Sequence, residues 1–434
     1  MGAMAATGSA VVGACPSVAE PFDEVDGLLL RVRRPGGRLD AGAARALAAV
    51  ADLGTGVVEL TSRANVQLRG LQRRDLGQAH DLLTAAALVG RSGAPELAVD
   101  LVAAPTAGFD AGELLDVTPL VDELVDVLRH VPDHRQPAPK FGVLVDGGGF
   151  VHVRDRRHDV GLGAVALPSG EVALEAVLDR SLPLVASSAD DVVLVAPGDA
   201  AALVGALVAQ CAGGRRVADL VATRAAIDVL AAAAATAGVA LRHAPRGDVL
   251  HPTVPSRSPV GDVAGDAIGL AASLGRLDPA QLRVIADVAE RHGRGELRVT
   301  PWRGVLVPDV APAARPAALA ALGHAGLVVD PGDAALAVIA CAGSSGCAAG
   351  LADTQRDGRR VIELLRGLPA HRRPASVHLA GCGKRCASRR PSALTLEAGP
   401  APGRYQVELA DGTRVGDIGG DDLDAAVARW GGRA

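Results

Sequence analysis

Aromatic side chains are scarce in this sequence. Two Trp, one Tyr and four Phe make up 2 % of 434 residues, while hydrophobic residues reach 49 %. The cores must therefore be built from Ala, Val and Leu, and the length predicts more than one domain. Lysine is nearly missing too: of 44 Lys plus Arg, the lysines are Lys140 and Lys384 alone. A Lys kept in a chain that otherwise uses Arg marks a place suited to a compact ammonium. There is no excess of positive charge, and a net charge of −5 gives no support for nucleic-acid binding. Long apolar runs are also absent. The Ala-rich stretch Val229–Leu241 has 13 residues, short of the roughly 20 a membrane span requires. The uncharged stretch Ala334–Ala352 is interrupted by G-S-S-G. The N-terminus up to Cys15 superficially resembles a lipoprotein leader but has neither a positive start nor an apolar core, so residues 1–21 read as a flexible tail and the protein as cytoplasmic. No G-x-G-x-x-G follows a strand and opens a helix, so a nicotinamide cofactor is expected to react through a partner.

Cysteine is sparse but concentrated. Four of six lie between Cys341 and Cys386 in the pattern C-x5-C-x34-C-x3-C (Cys341, Cys347, Cys382, Cys386), leaving Cys15 and Cys211 isolated. Four thiolates are what a cubane iron–sulfur cluster takes, one per iron. Small residues surround both pairs (Gly343, Ser344, Ser345, Gly346; Gly381, Gly383) and let backbone amides approach. Zinc knuckles use tighter C-x2-4-C spacing, disulfides need an oxidising compartment, and buried inert thiols would not cluster in this way. The pattern favours a [4Fe–4S] cluster over these alternatives.

The chain contains an internal duplication. G-R-L-D occurs at Gly37–Asp40 and again at Gly275–Asp278. In each copy the Asp is placed to cap a helix, the second time with Pro279 at the first helical position. A Gly-x-Gly turn follows each helix, then V-V-E-L-T (Val57–Thr61) or E-L-R-V-T (Glu296–Thr300), and then a returning strand. Two such halves would pair about a pseudo-twofold axis, with Arg63 and Arg303 on their equivalent loops. Longer α/β segments follow each half. The first has a strand over Phe141–Asp146 that Gly147–Gly149 would turn into a hairpin with Phe150–Val153. In the second, one strand delivers Cys341 and another delivers Cys382. The expected divisions are a tail at 1–21, a first half-domain at 22–93, an α/β domain at 94–248, a linker with the second half-domain at 249–325, and a second α/β domain carrying the cysteines at 326–434.

Histidines offer no recognisable metal triad. His130 and His134 are separated by a helix-breaking Pro132, His378 reads as a hydrogen-bonded core residue, and His251 in the Pro-rich linker is a weaker candidate.

The duplication, T-S-R-A-N-V-Q-L-R-G (Thr61–Gly70), P-K-F (Pro139–Phe141) and the cysteine pattern together resemble the sulfite and nitrite reductase family. The resemblance implies an α+β fold of duplicated ferredoxin-like half-domains about a pseudo-twofold axis, each followed by an α/β domain. Within the family, C-A-G-S-S-G-C-A-A-G-L-A-D-T-Q (Cys341–Gln355), V-H-L-A-G-C-G-K-R-C-A (Val377–Ala387) and S-A-L-T-L (Ser392–Leu396) look most like its aerobic cobalamin-pathway branch. The reductases carry K-F-K where this chain has K-F-G with Gly142, and an arginine is missing ahead of P-T-A-G (Pro105–Gly108). Both departures remove cations that serve sirohaem and a small oxyanion.

That likeness implies hydroxylation and lactone formation on precorrin-3A with O2. It also implies a [4Fe–4S] cluster on Cys341, Cys347, Cys382 and Cys386, a non-haem iron whose ligands are not recognisable, and NADH acting through an electron-donor reductase; sirohaem is the alternative. A flat substrate bearing many carboxylates calls for several cations. The candidates are Arg63, Arg69, Lys140, Arg303 and Lys384, with Gln67 as a neutral donor. Arg63 and Lys140 match family motif positions.

Overall fold

The repeated G-R-L-D motifs fold as two copies of one unit, and each copy lends the other a strand. The computed structural model describes residues 16–89, 97, 99–132, 136–178, 191–251, 259–263, 266–388, 390–399 and 401–430. Residues 1–15 of the expected tail (with Cys15), His134, and 252–258 of the expected linker lie outside the described residues. Val18, inside the stretch expected as tail, is buried in the core. The chain divides into two units, one built from 93–108 and 112–256, the other from 18–92, 109–111 and 257–434.

The first half-domain contains β1 (Phe22–Glu24), β2 (Gly27–Val32), β3 (Arg38–Asp40), α1 (Ala41–Asp52), β4 (Val58–Leu60), β5 (Val66–Leu71) and α2 (Leu76–Ala85). Asp40 caps α1 as expected, accepting from Ala43 N at 2.7 Å.

The chain then builds the other unit with β6 (Asp100–Ala103), α3 (Thr118–Arg129), β7 (Gly142–Asp146), β8 (Val160–Ala166), β9 (Val172–Leu178), β10 (Asp191–Val195), α4 (Ala200–Gln210), α5 (Val217–Val221), α6 (Ala226–Ala237) and β11 (Leu241–Pro245). These strands form one sheet in the order β11-β10-β9-β8-β7-β6. The expected hairpin at Gly147–Gly149 does not form, because β7 pairs in parallel with β8. The reason is Asp146. Its buried carboxylate accepts from Gly148 N at 2.9 Å, Val153 N at 2.7 Å and Arg154 Nε at 2.9 Å, which holds 147–154 as a loop.

The second half-domain contains β12 (Gly261–Val263), β13 (Ala267–Ala271), β14 (Arg276–Leu277), α7 (Pro279–His292), β15 (Glu296–Val299), β16 (Gly304–Val307) and α8 (Arg315–His324). Asp278 and Gln281 form a capping box on α7, with bonds of 2.8 and 3.0 Å.

The half-domain sheets run β1-β2-β5-β4-β14 and β12-β13-β16-β15-β3, so β14 of the second half completes the first sheet and β3 of the first half completes the second. One continuous core of Leu, Val, Ile and Ala serves both halves, with α1 packed on α7. Leu47 and Ile285 are fully buried there, and truncating either to Ala should cost about 3 kcal/mol.

After the second half come β17 (Val338–Ala340), α9 (Thr354–Arg366), β18 (Val377–Ala380), β19 (Leu394–Ala398), β20 (Arg404–Leu409), β21 (Arg414–Gly419) and α10 (Leu423–Trp430). They form a sheet in sequence order, with β17, β18 and β19 parallel and the rest antiparallel. No helix among the described residues is long and apolar enough to cross a membrane.

Candidate functional site

β17 and β18 are adjacent and parallel, with Ala340 opposite Leu379, so the two cysteine loops leave the sheet at the same end. Cys341 follows β17 directly. Its N–H donates to Leu379 O at 3.3 Å, and its carbonyl accepts from Thr354 Oγ1 at 2.8 Å and Gln355 Nε2 at 2.9 Å at the start of α9. Its Sγ accepts from Gly381 N at 3.1 Å. Backbone crowding explains the glycines. A Cβ at Gly381 would lie 3.2 Å from Cys341 Sγ and 3.2 Å from Gly343 Cα, and one at Gly350 would lie 2.5 Å from the Gly343 carbonyl carbon.

Cys341, Cys347 and Cys382 are half-buried and Cys386 is exposed. Cys211 is fully buried, and burial pushes its thiol up to about 12, as an inert core cysteine requires. Among the described residues, no three Cys, His, Asp or Glu side chains converge as ligands of a single metal ion. A cubane is different, because it takes one thiolate at each iron. Four cysteines on two abutting glycine-rich loops, with one N–H···S bond already in place, are a donor set that fits it.

The candidate cations have different fates. Arg69 on β5 is buried. Its Nε and Nη2 donate to Asp26 at 2.8 and 2.9 Å, its Nη1 reaches Glu59 at 3.4 Å, and its Nη2 also donates to Gly346 O, next to Cys347. Its donors are used inside the protein. Gln67 is likewise engaged within the sheet when its amide is oriented to donate to Glu59 at 3.3 Å and accept from Arg31 at 2.8 Å. Glu59 also accepts from Arg276 on the exchanged strand β14, at 2.9 and 2.7 Å.

Arg63 and Arg303 prove not to be equivalent. Thr61 N bonds Asn65 O at 2.9 Å, and Thr300 N bonds Gly304 O at 2.9 Å, closing matching turns. The left-handed position is Ala64 (φ 56°) in one and Arg303 (φ 58°) in the other. Arg63 therefore corresponds to Trp302. The half-buried Arg303 donates through Nη2 to Ala387 O at 2.5 Å, next to Cys386, and burial pushes its guanidinium down from its usual range while Glu59 opposes.

Lys384 is exposed between Cys382 and Cys386. Lys140 lies in the other unit, in left-handed backbone with φ 68°. Its carbonyl accepts from Arg216 Nη1 at 3.4 Å, and Arg216 is anchored on Asp159 at 3.0 Å.

Two residues near the cysteines carry roles that their sequence context did not signal. Arg385 (φ 46°) clamps the second loop onto β19 and β20, donating to Glu397 at 2.5 Å and to Glu408 at 2.8 and 2.7 Å. His378 on β18 is 1 % exposed, but its Nε2 has no hydrogen-bond partner among the described residues, contrary to a satisfied core histidine. Burial, then the charges of Arg385 and Arg303, push it down to about 4, so it is neutral at pH 7. His251 packs against Glu175, its Nδ1 3.5 Å from Oε2, and burial lowers it too.

Comparison with known proteins places these features. The Nitrite/Sulfite reductase ferredoxin-like half domain matches residues 23–86 and 259–325. A precorrin-3B synthase from Sinorhizobium sp is 30 % identical over 90 % of this chain and 81 % of its own. An assimilatory ferredoxin-dependent nitrite reductase from Haloferax mediterranei is 24 % identical over 93 % of this chain and 75 % of its own. The solved structure of the Mycobacterium tuberculosis NirA protein shares the fold, with a TM-score of 0.69 at 19 % identity over 93 % of this chain and 80 % of that one.

Proposed function

Because the chain belongs to the nitrite and sulfite reductase family with duplicated ferredoxin-like half-domains, and to the part of it that holds precorrin-3B synthase, we propose that it is an oxidoreductase acting as a precorrin-3B synthase. Its substrate is then precorrin-3A, hydroxylated at a meso carbon and closed to a lactone on an acetate side chain. One atom of O2 enters the product and the other leaves as water, with two electrons from NADH delivered through a partner reductase.

The observation that carries this reading is the likeness to a precorrin-3B synthase over 90 % of the chain. Gly142, standing where the resemblance to the reductases would put a second lysine, agrees with it.

In this reading Cys341, Cys347, Cys382 and Cys386 hold a [4Fe–4S] cluster. When bound, such a cluster supplies one-electron transfer without an open coordination position. The chain's own part is to hold the thiolates in place. Gly381 N–H places a partial positive charge on Cys341 Sγ at 3.1 Å, and Thr354 and Gln355 fix that residue's carbonyl. Arg63 and Lys384, both in the unit that carries the cysteines, are the cations assigned to substrate carboxylates. Arg69 and Gln67 are left out because their polar groups bond within the protein.

The absorption spectrum of anaerobically purified protein, with iron and acid-labile sulfide assays, tests this. A broad iron–sulfur band without porphyrinoid peaks is expected. Sharp sirohaem bands would make the tetrapyrrole a resident cofactor and turn the reading to sulfite or nitrite reduction.

A further inference from the structure

The first cysteine of each pair is held by the sheet. Cys341 directly follows β17 and Cys382 lies just past β18. The second of each pair, Cys347 and Cys386, lies farther out on a glycine-rich loop, where backbone entropy works against a fixed thiolate, although Arg385 already ties the second loop to Glu397 and Glu408. At these two places the half-domains intervene. Arg69 of the first half donates to Gly346 O, the residue before Cys347. Arg303 of the second half donates to Ala387 O, the residue after Cys386, at 2.5 Å. A Cβ at Gly346 would lie 2.7 Å from Arg69 Nη2, so the glycine gives that guanidinium access.

The two arginines differ in charge environment. Arg69 is neutralised by Asp26 and Glu59. Arg303 has no ion-pair partner within 4 Å among the described residues; Glu59 acts on it from farther off, and Ala387 O is the acceptor of its side-chain hydrogen bond. A guanidinium outside any close ion pair, beside a centre that gains negative charge on reduction, favours the reduced state.

We propose that Arg69 and Arg303 are positioning residues for the four-cysteine centre, one from each half-domain gripping one loop beside its outer cysteine, and that Arg303 also raises the centre's reduction potential. The duplicated half-domain thereby serves the redox centre twice, once with a neutralised grip and once with a charged one. This rests on the four cysteines being cluster ligands.

The test uses the full chain as wild type, Arg303→Gln, Arg303→Lys and Arg69→Gln. Cluster-free protein is alkylated with iodoacetamide and each cysteine's rate is read by peptide mass spectrometry. Reconstituted protein gives iron and sulfide content and the midpoint potential by equilibrium titration. Arg303→Gln is expected to raise the Cys386 labelling rate several-fold relative to Cys382 and to move the potential negative. Arg303→Lys keeps the charge, so it should keep the potential even where the labelling rate rises; this variant decides the point if Arg303→Gln does not fold. Arg69→Gln should raise labelling of Cys347 with little change in potential. Wild type that reconstitutes without iron and sulfide overturns the cluster reading and this inference with it. Wild type that holds the cluster, with Arg303→Gln unchanged in labelling and potential, overturns this inference alone. A loss of potential in Arg303→Lys equal to that in Arg303→Gln overturns the charge argument.

Discussion

Gly381 donates its backbone N–H to the sulfur of Cys341 at 3.1 Å, across the junction of the two cysteine loops. A Cβ at residue 381 would lie 3.2 Å from that sulfur and 3.2 Å from Gly343 Cα, tight on both sides of the junction. Gly381→Ala should therefore push the loops apart while leaving the half-domains folded. Iron and sulfide content is expected to fall by about half or more, with an unchanged far-ultraviolet circular dichroism spectrum. Full cluster content in this variant would show that the junction tolerates the methyl group.

Gly37 tests the strand exchange between the half-domains. It sits at φ 71°, and a Cβ there would lie 2.1 Å from Val299 O on β15, the strand with which β3 pairs. Gly37→Ala combines left-handed strain with a backbone clash, so a loss of about 2 kcal/mol or more is expected in chemical denaturation. Stability within about 0.5 kcal/mol of wild type would mean the exchanged strand yields easily.

His378 makes stability depend on pH in a defined direction. Its ordinary value of 6.5 is pushed down to about 4 by burial and by Arg385 and Arg303. Above pH 6.5 both folded and unfolded forms are neutral and the full stability is present. As pH falls toward 4 the unfolded chain takes up a proton that the folded chain refuses, so about 3 kcal/mol is lost. His378→Gln should lose less stability than wild type between pH 7 and pH 4 in parallel urea titrations. Identical pH slopes would contradict the buried neutral imidazole.

Substrate contacts are tested at Arg63 and Lys384. Each charge-assisted bond to a carboxylate is worth about 1.5–3 kcal/mol, so Arg63→Ala or Lys384→Ala should weaken tetrapyrrole binding roughly tenfold or more. Unchanged affinity in fluorescence-quenching titrations would remove that residue from the binding surface.

Much of this architecture was legible in the chain. The duplication was visible because Asp caps and Gly turns are local chemistry, and Asp40 and Asp278 cap α1 and α7 as their positions predicted. The exchange of β3 and β14 was not visible, since strands of 3 and 2 residues carry no periodicity. The offset between Arg63 and Arg303 could have been found by counting from Thr61 and Thr300, because Arg lies two residues past one Thr and three past the other. The engagement of Arg69 by Asp26 and Glu59 is tertiary: Asp26 lies 43 residues away in sequence. The G-G-G run at 147–149 looked like a hairpin because turn chemistry is shared by reversals and loops; Asp146, buried by the sheet, decided between them. The cysteine loops were legible from spacing, but not the Arg303–Ala387 bond, since a backbone carbonyl acceptor leaves no mark on residue type.

The most direct measurement of the proposed activity is turnover of precorrin-3A under ¹⁸O2 by the reconstituted chain with NADH and a ferredoxin-type reductase, read by mass spectrometry. The expected product carries one ¹⁸O atom in a hydroxylated, lactone-bearing tetrapyrrole, and Cys382→Ser abolishes its formation. Precorrin-3A recovered unchanged, by a protein that contains its cluster and reduces sulfite or nitrite, would contradict the synthase reading.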